Sequence, residues 1–442
     1  MLLVLFLAAG SACVPMRWPS GDPKSLDLVA GSAVNCLLLE KECWSAALAK
    51  RARELKITAL GVVRREEEAA GAVAAGLDGI VLEGEFDEAA IHRLKPAAVL
   101  TARRRIPWDS SAPVIGTYQG LWPGIQPAKD GAARAAPTGA PWIDTNTGFL
   151  RFARALTTKP FWIANTPPPK TVYPVERYLQ AIADAAISGA QWVISLDQDF
   201  SARLLARESA AERDWRRIQE MAAHFQRHPE WRDASPAGQF VVVQDPDRGA
   251  LMSGGVLDMV ATRHTPVRPV PVSRLEDRRL EGAKIAVNID PDVLTGEQKQ
   301  ILRRFTAAGG TLLSGPAGWR FSAADADGMT LSKEDVEKLD SIWREMNSLT
   351  GRRNLGARLF NVSSMLSNLV ALPGGKNLAL HLVNYSNYPV DDITIHVLGK
   401  YSKATLHAPG APPLALTTFP LEEGTGIEIG RLAVTGTVVI EP

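Results

Sequence analysis

Apolar and polar positions change period twice along the chain, and those changes divide it. From about residue 30 to 230, apolar runs of strand length alternate with stretches of helical period, the pattern of βα units around a parallel sheet. The runs are "AVNCLLL", "ITALGVV", "DGIVLEGE", "AAVLTA", "PVIGTY", "PFWIAN" and "QWVISLD". Helices are predicted between most of them, including "CWSAALAKRARELK" and "VERYLQAIADAAISG", the second closed by Gly189 at a left-handed cap position. Seven strands in this span predict a (β/α)8, TIM-like barrel with one further strand that the pattern does not display. A doubly wound open sheet is the alternative.

The pattern restarts at "QFVVVQD". "KIAVNID" then precedes "LTGEQKQILRRFTAAGGTLLSG", where Thr295 and Gln298 form a capping box and Gly309 and Gly310 end the helix before a strand. This predicts a flavodoxin-like α/β unit. The charged segment "SKEDVEKLDSIWREMNSL" predicts a connecting helix, and "NLALHLVNYS", "DDITIHVLG" and "GTVVIEP" alternate as strands of a small β-sandwich do. The boundaries expected are a signal peptide at 1–20, the barrel at 26–232, the flavodoxin-like domain at 236–330, a linker helix at 331–354 and the sandwich at 355–442.

The opening "MLLVLFLAAGSAC" has signal-peptide length, too short to span a bilayer, and predicts export to the periplasm or the medium. Cleavage is expected near Ala12. Cys13 would then be a position for a lipid, although "GSAC" lacks the large aliphatic residue usual three before such a Cys, and no Lys or Arg precedes the run. Of the other two cysteines, Cys36 and Cys43 either pair across a short loop or remain separate thiols.

Composition narrows the function classes. The 442 residues are 46% hydrophobic and 22% charged, as in globular proteins, and 49 basic residues against 48 acidic leave a net charge of +1. Nothing in that balance gathers nucleic acid or an anionic membrane. His224 and His228 lie four apart without a third ligand and are expected on a solvated helix surface; no Gly-rich phosphate loop follows a strand, so neither metal nor cofactor is expected.

Reactive groups of such a barrel lie at the C-terminal ends of its strands. Strand alternation places Val81, Glu83 and Glu85 on one face and Ile80 and Leu82 on the other, with Asp87 as the cap of the next helix. The same parity sends Val193, Ser195 and Asp197 inward, Trp192 outward, and leaves Asp199 just beyond. Glycosidic hydrolysis needs one protonated and one ionised carboxyl group, so Glu83 or Glu85 with Asp197 is the candidate catalytic pair. The alternative is that these carboxylates cap helices or pair with neighbours such as Arg103 to Arg105. Trp122 and Trp142 lie in loops suited to stacking on a sugar ring, with Asp144, Asn146 and Asn165 as hydroxyl partners. For Trp142 the alternative is a plug against the barrel, with Asp144 or Thr145 starting a helix.

The order of barrel, flavodoxin-like unit and sandwich, with the segments "LTGEQKQILRRFTAAGGTLLSG" and "HLVNYSNYPV", resembles β-galactosidases and related glycoside hydrolases whose barrel is followed by an amidotransferase-like trimerisation domain. The resemblance implies a carbohydrate partner, oligomer contacts through the middle domain, and loss of the amidotransferase nucleophile, with which the absence of Cys from residues 44 to 442 agrees. Retaining enzymes of this kind carry a Glu after an Asn on the fourth strand and a nucleophilic Glu on the seventh. Here the fourth run ends "LTARRR", the seventh ends in Asp197, and Asn165 precedes Thr166. The expectation is therefore a divergent hydrolase using another carboxylate pair, or a barrel that only binds glycans.

Overall fold

In a computed structural model of the protein, residues 13–125, 143–246, 264–315, 332–351 and 353–442 are described. They form two compact units, one built from residues up to Trp122, Thr157–Ala186 and Ala190–Pro229, the other from Pro123–Leu156, Ile187–Gly189 and Glu230–Pro442.

The first unit is a closed barrel of eight parallel strands: β1 Pro15–Arg17, β2 Cys36–Leu39, β3 Thr58–Val63, β4 Gly79–Glu83, β5 Ala98–Thr101, β6 Val114–Thr117, β7 Phe161–Ala164 and β8 Gln191–Ser195. Each strand pairs with the next, and β1 closes the ring, with Met16 opposite both Leu37 and Ile194. The seven runs read from the sequence are β2 to β8. The eighth strand, β1, lies inside the segment assigned to the signal peptide, so the barrel begins ahead of the expected boundary at residue 26. Three residues beginning with Pro give no alternation to read, yet Pro is tolerated at the first position of a strand.

Helices α1 (Ala46–Glu54), α2 (Ala69–Ala74) and α3 (Glu88–Leu94) follow β2, β3 and β4. Asp87 caps α3, accepting the Ala90 N–H at 2.7 Å, as its position predicted. Val81, Leu100, Trp162 and Val193 fill the barrel interior, which confirms the parity assigned to β4 and β8. Gly116 of β6 faces the Trp162 backbone so closely that a Cβ would lie 1.9 Å from its carbonyl oxygen.

All three cysteines are free. Cys36 opens β2 in the interior, whereas Cys43 ends a turn beyond the far end of that strand, so the expected alternative of a Cys36–Cys43 bridge is not formed.

The segment after Trp122 belongs to the second unit, a departure from the expected continuous barrel at 26–232. Its helix α4 (Thr147–Leu156) buries Phe149 and Phe152, and the Arg151 guanidinium donates to the Ser367 carbonyl at 2.7 Å. A parallel sheet of β9 (Phe240–Gln244), β10 (Arg268–Pro271), β11 (Ile285–Asn288) and β12 (Thr311–Ser314) has the order β10-β9-β11-β12, the start of a flavodoxin-like topology. The helix before β12, Gly296–Ala307, carries the predicted box: Thr295 Oγ1 accepts the Gln298 N–H at 3.2 Å and Gln298 Oε1 accepts the Thr295 N–H at 2.8 Å. The predicted linker is a helix over Lys333–Thr350.

Two antiparallel sheets complete this unit. Leu380, Leu382 and Val438 from one and Ile393, Ile395 and Ile427 from the other share one core, as the faces of a sandwich do.

Candidate functional site at the barrel rim

The first four strands each deliver a charged residue to the C-terminal rim, alternating in sign. Arg17 ends β1, Glu40 follows β2, Arg64 follows β3 and Glu83 ends β4. Arg17 donates to Glu40 at 2.9 Å and to Glu83; Arg64 donates to Glu40 at 2.6 Å and to Glu83 at 2.7 Å. The four side chains thus close a ring of ion pairs, with Arg17 and Glu83 only 10% and 11% exposed. Burial pushes the Glu40 carboxyl up, but hydrogen bonding and charge from Arg64, then Arg17, outweigh it and hold the group below the usual carboxylate range. The hydrogen bond to Glu40 is the main cause raising the Arg64 guanidinium. Glu83 Oε1 accepts from Arg64 and Oε2 from Arg17, so both oxygens act as acceptors.

Glu85 does not join this ring. The strand ends at Glu83, and Gly84, with φ of 133°, breaks the two-residue alternation, turning Glu85 outward to pair with Arg105 at 58% side-chain exposure. The expectation that Glu83 and Glu85 share the inner face therefore holds for Glu83 alone.

Asp197 is buried, and its partners explain why. It caps helix α6 (Gln198–Leu205). Oδ1 accepts the Phe200 N–H at 2.8 Å; Oδ2 accepts the Tyr178 hydroxyl at 2.7 Å and the Tyr173 N–H at 3.1 Å. Tyr178, in α5 (Val175–Ala186), in turn accepts the Asp197 N–H at 3.0 Å, and burial, followed by the hydrogen bond to Asp197, pushes its phenol well up. This is the helix-capping alternative rather than an open carboxyl. Asp199 stands in the first turn of α6, exposed, and pairs with Arg203 at 2.8 Å.

Beside Asp197 lies an aromatic group drawn from the segments after β6 and β7, from α5 and from β8. Trp122 and Tyr173, both half-buried, stack with centroids 4.5 Å apart and planes at 25°. The edge of the stack meets Trp192, 5.1 Å from Trp122, and Tyr178, 5.3 Å away. Trp192 itself is buried, as its outward parity predicted. Gly120 fixes the loop that carries Trp122: its N–H donates to the Ala164 carbonyl at 2.8 Å, its carbonyl accepts Asn165 Nδ2 at 2.5 Å, and a Cβ there would lie 2.9 Å from the Trp192 ring. Asn165 is thus a residue that holds the loop. The buried indole N–H of Trp122 has no hydrogen-bond partner.

Asp144 and Asn146 belong to the second unit, where Asn146 is fully buried and its carbonyl accepts the Leu150 N–H at the start of α4. Trp142 lies outside the described residues. His224, expected on a solvated surface, is buried in α7 (Ser209–Gln226), and no cluster of metal-ligating residues occurs among the described residues. Tyr173, Tyr178 and the Arg17–Glu40–Arg64 set were not singled out in the sequence. The signal for the ring was present, since "PMR", "LLLE", "VVR" and "VLE" place alternating charges at or one residue past the ends of four successive strands.

No protein-family model matches the chain, and no curated protein sequence matches it. Among solved structures it is similar to α-L-fucosidase isoenzyme 2 from Paenibacillus thiaminolyticus, with a TM-score of 0.60 and 11% identity over 98% of this chain and 99% of that one. A rhamnosidase from Novosphingobium sp. gives a TM-score of 0.44 and 12% identity over 91% and 38% of the two chains. A β-galactosidase from G. stearothermophilus gives 0.41 and 11% over 90% and 68%. The fucosidase likeness runs the length of both chains, and the fold is that of a glycoside-hydrolase-like protein with a TIM barrel. At this identity the likeness defines architecture and leaves the reaction to the residues.

Proposed function

We propose that the protein binds a carbohydrate at the barrel rim and that the site is built for recognition. The observation that carries this reading is the Trp122–Tyr173 stack, whose two rings are both partly exposed. An aromatic face accepts the C–H face of a pyranose.

Hydrolysis by Glu83, Glu85 and Asp197 is less well supported. A two-carboxylate reaction requires one group to give a proton to the leaving oxygen. Glu83 accepts from guanidinium groups on both oxygens, Asp197 accepts on both of its own, and Glu85 faces solvent against Arg105. Glu83, on the fourth strand when β1 is counted, suits only the ionised role, and none of the three suits the acid. Counted from β2, the fourth strand is instead β5, which leads into Arg103 to Arg105.

The test is binding of the full chain to a glycan array and to insoluble polysaccharides, alongside turnover of aryl glycosides. Retention that falls at least tenfold in Trp122→Ala, without turnover in the parent protein, is the expected result. Turnover abolished by Glu83→Gln but kept in Trp122→Ala would replace recognition with hydrolysis.

A further inference from the structure

The outer face of one sandwich sheet carries a row of rings. The strands of that sheet lie antiparallel in the order Ala357–Phe360, Val390–Leu398, Gly424–Leu432, Thr418–Leu421. Ile393, Ile395, Ile427 and Ile429 point into the core, so alternation turns His396, Gly426, Glu428 and Gly430 to the other face. The ladders set Arg358 opposite His396, His396 opposite Gly426, and Gly426 opposite Phe419. Phe360 reaches diagonally to His396, with ring centres 4.4 Å apart and planes at 48°, and the Arg358 guanidinium carbon stands 5.5 Å from the centre of the Phe360 ring.

Two glycines shape the ground beside these rings. Phe419 lies over Gly426, where a Cβ would fall 2.2 Å from a ring carbon, so only glycine lets that ring down onto the sheet. A Cβ on Gly430 would meet nothing within 4 Å, which leaves open, low ground next to the exposed Glu428. Glycine inside a strand often marks such a place of close approach by a ligand. Packing accounts for the half-buried Phe419 and His396, but Phe360 remains 36% exposed.

We propose that this face is a second carbohydrate site, which takes an uncharged glycan chain laid across Phe360, His396 and Phe419. It rests on the carbohydrate reading of the rim for its ligand class and on separate residues for its place. Rings contributed by three strands offer faces and edges for the C–H groups of successive sugars. Arg358 donates, Glu428 accepts, and sugar hydroxyls do both. Burial, followed by the charge of Arg358, lowers the His396 pKa, so the imidazole is neutral at pH 7 and Arg358 and Glu428 offset each other. That balance favours an uncharged chain over a polyanion. An extended peptide has no strand edge to join on this face, because Val390–Leu398 and Gly424–Leu432 are each paired on both sides.

Retention of the full chain on cellulose, mannan, chitin and starch granules tests the site, with the parent compared with Trp122→Ala, Phe360→Ala, Gly430→Gln and the two double variants containing Trp122→Ala. Gly430→Gln adds a side chain in open space at a position without positive φ, so it keeps the parental thermal midpoint while obstructing the ligand. Trp122→Ala should keep part of the retention, and either further substitution should lower what remains at least about fivefold. Circular dichroism of each variant establishes that it is folded. Retention abolished by Trp122→Ala but unchanged in Phe360→Ala and Gly430→Gln overturns this inference and leaves the rim reading standing. The reverse pattern supports this site and removes the rim reading. A parent dimer that Phe360→Ala dissociates would make the face an interface between copies and overturn the proposal, as would a parent retained on none of the four polymers.

Discussion

Arg17 and Glu83 meet across the mouth of the barrel although two strands separate them in the sheet. Inward side chains at the same level of a closed barrel can reach over the interior, so residues 66 positions apart become hydrogen-bond partners.

Arg17→Met tests what that partnership contributes. Its removal leaves Glu83 Oε2 without its guanidinium in a largely buried position, and truncating one side of such a pair costs about 3 kcal/mol. Urea unfolding should show that loss with an unchanged m-value. A change below about 0.5 kcal/mol would class the pair with surface ion pairs.

Asp197→Ala should act on stability. It removes a helix cap and strands the Tyr178 hydroxyl and the Tyr173 N–H, together about 2–3 kcal/mol. Tyr178→Phe, which deletes one donor, should cost about 1 kcal/mol. Unaltered denaturation midpoints in both variants would contradict the capping role.

Gly116→Ala places a methyl group where the Trp162 carbonyl already lies, at a contact no backbone can accept without β6 and β7 separating. A loss of about 3 kcal/mol or more is expected from calorimetry or denaturant titration. A neutral substitution would mean the strands can separate locally at little cost.

His264 in the second unit gives a pH dependence. It is buried, and that burial lowers its pKa from 6.5 to about 4, so the unfolded chain takes up a proton the folded chain refuses. Its contribution is present above pH 6.5 and is lost as pH falls toward 4, on the order of 3 kcal/mol in all. Because His264 has a φ of 55°, Asn is the substitution best suited to its backbone. His264→Asn should flatten the acid limb of a stability–pH curve, and an equally steep limb in the variant would assign it to other groups.

The parts of this fold legible in the sequence are those set by local pattern. Apolar runs marked seven strands, Thr295 and Gln298 marked a helix start, and alternation put Val81 and Val193 inside. β1 escaped because three residues with a leading Pro carry no period. At the rim, parity located Glu83 and Asp197 but not their partners: Glu83 is tied to Arg17 by barrel closure, and Asp197 to Tyr178 by packing of α5 against β8. Glu85 was misplaced because a single glycine conformation ended the alternation before it.

The path of the chain between the two units constrains how the molecule can be dissected. Residues 123–156 are spent in the second unit before the strand sequence of the first is complete. A gene fragment that stops at Pro229 would encode all eight staves yet strand an interior tract from its folding companions, so separate expression calls for excising that tract and rejoining Trp122 to Thr157 as well as trimming the tail.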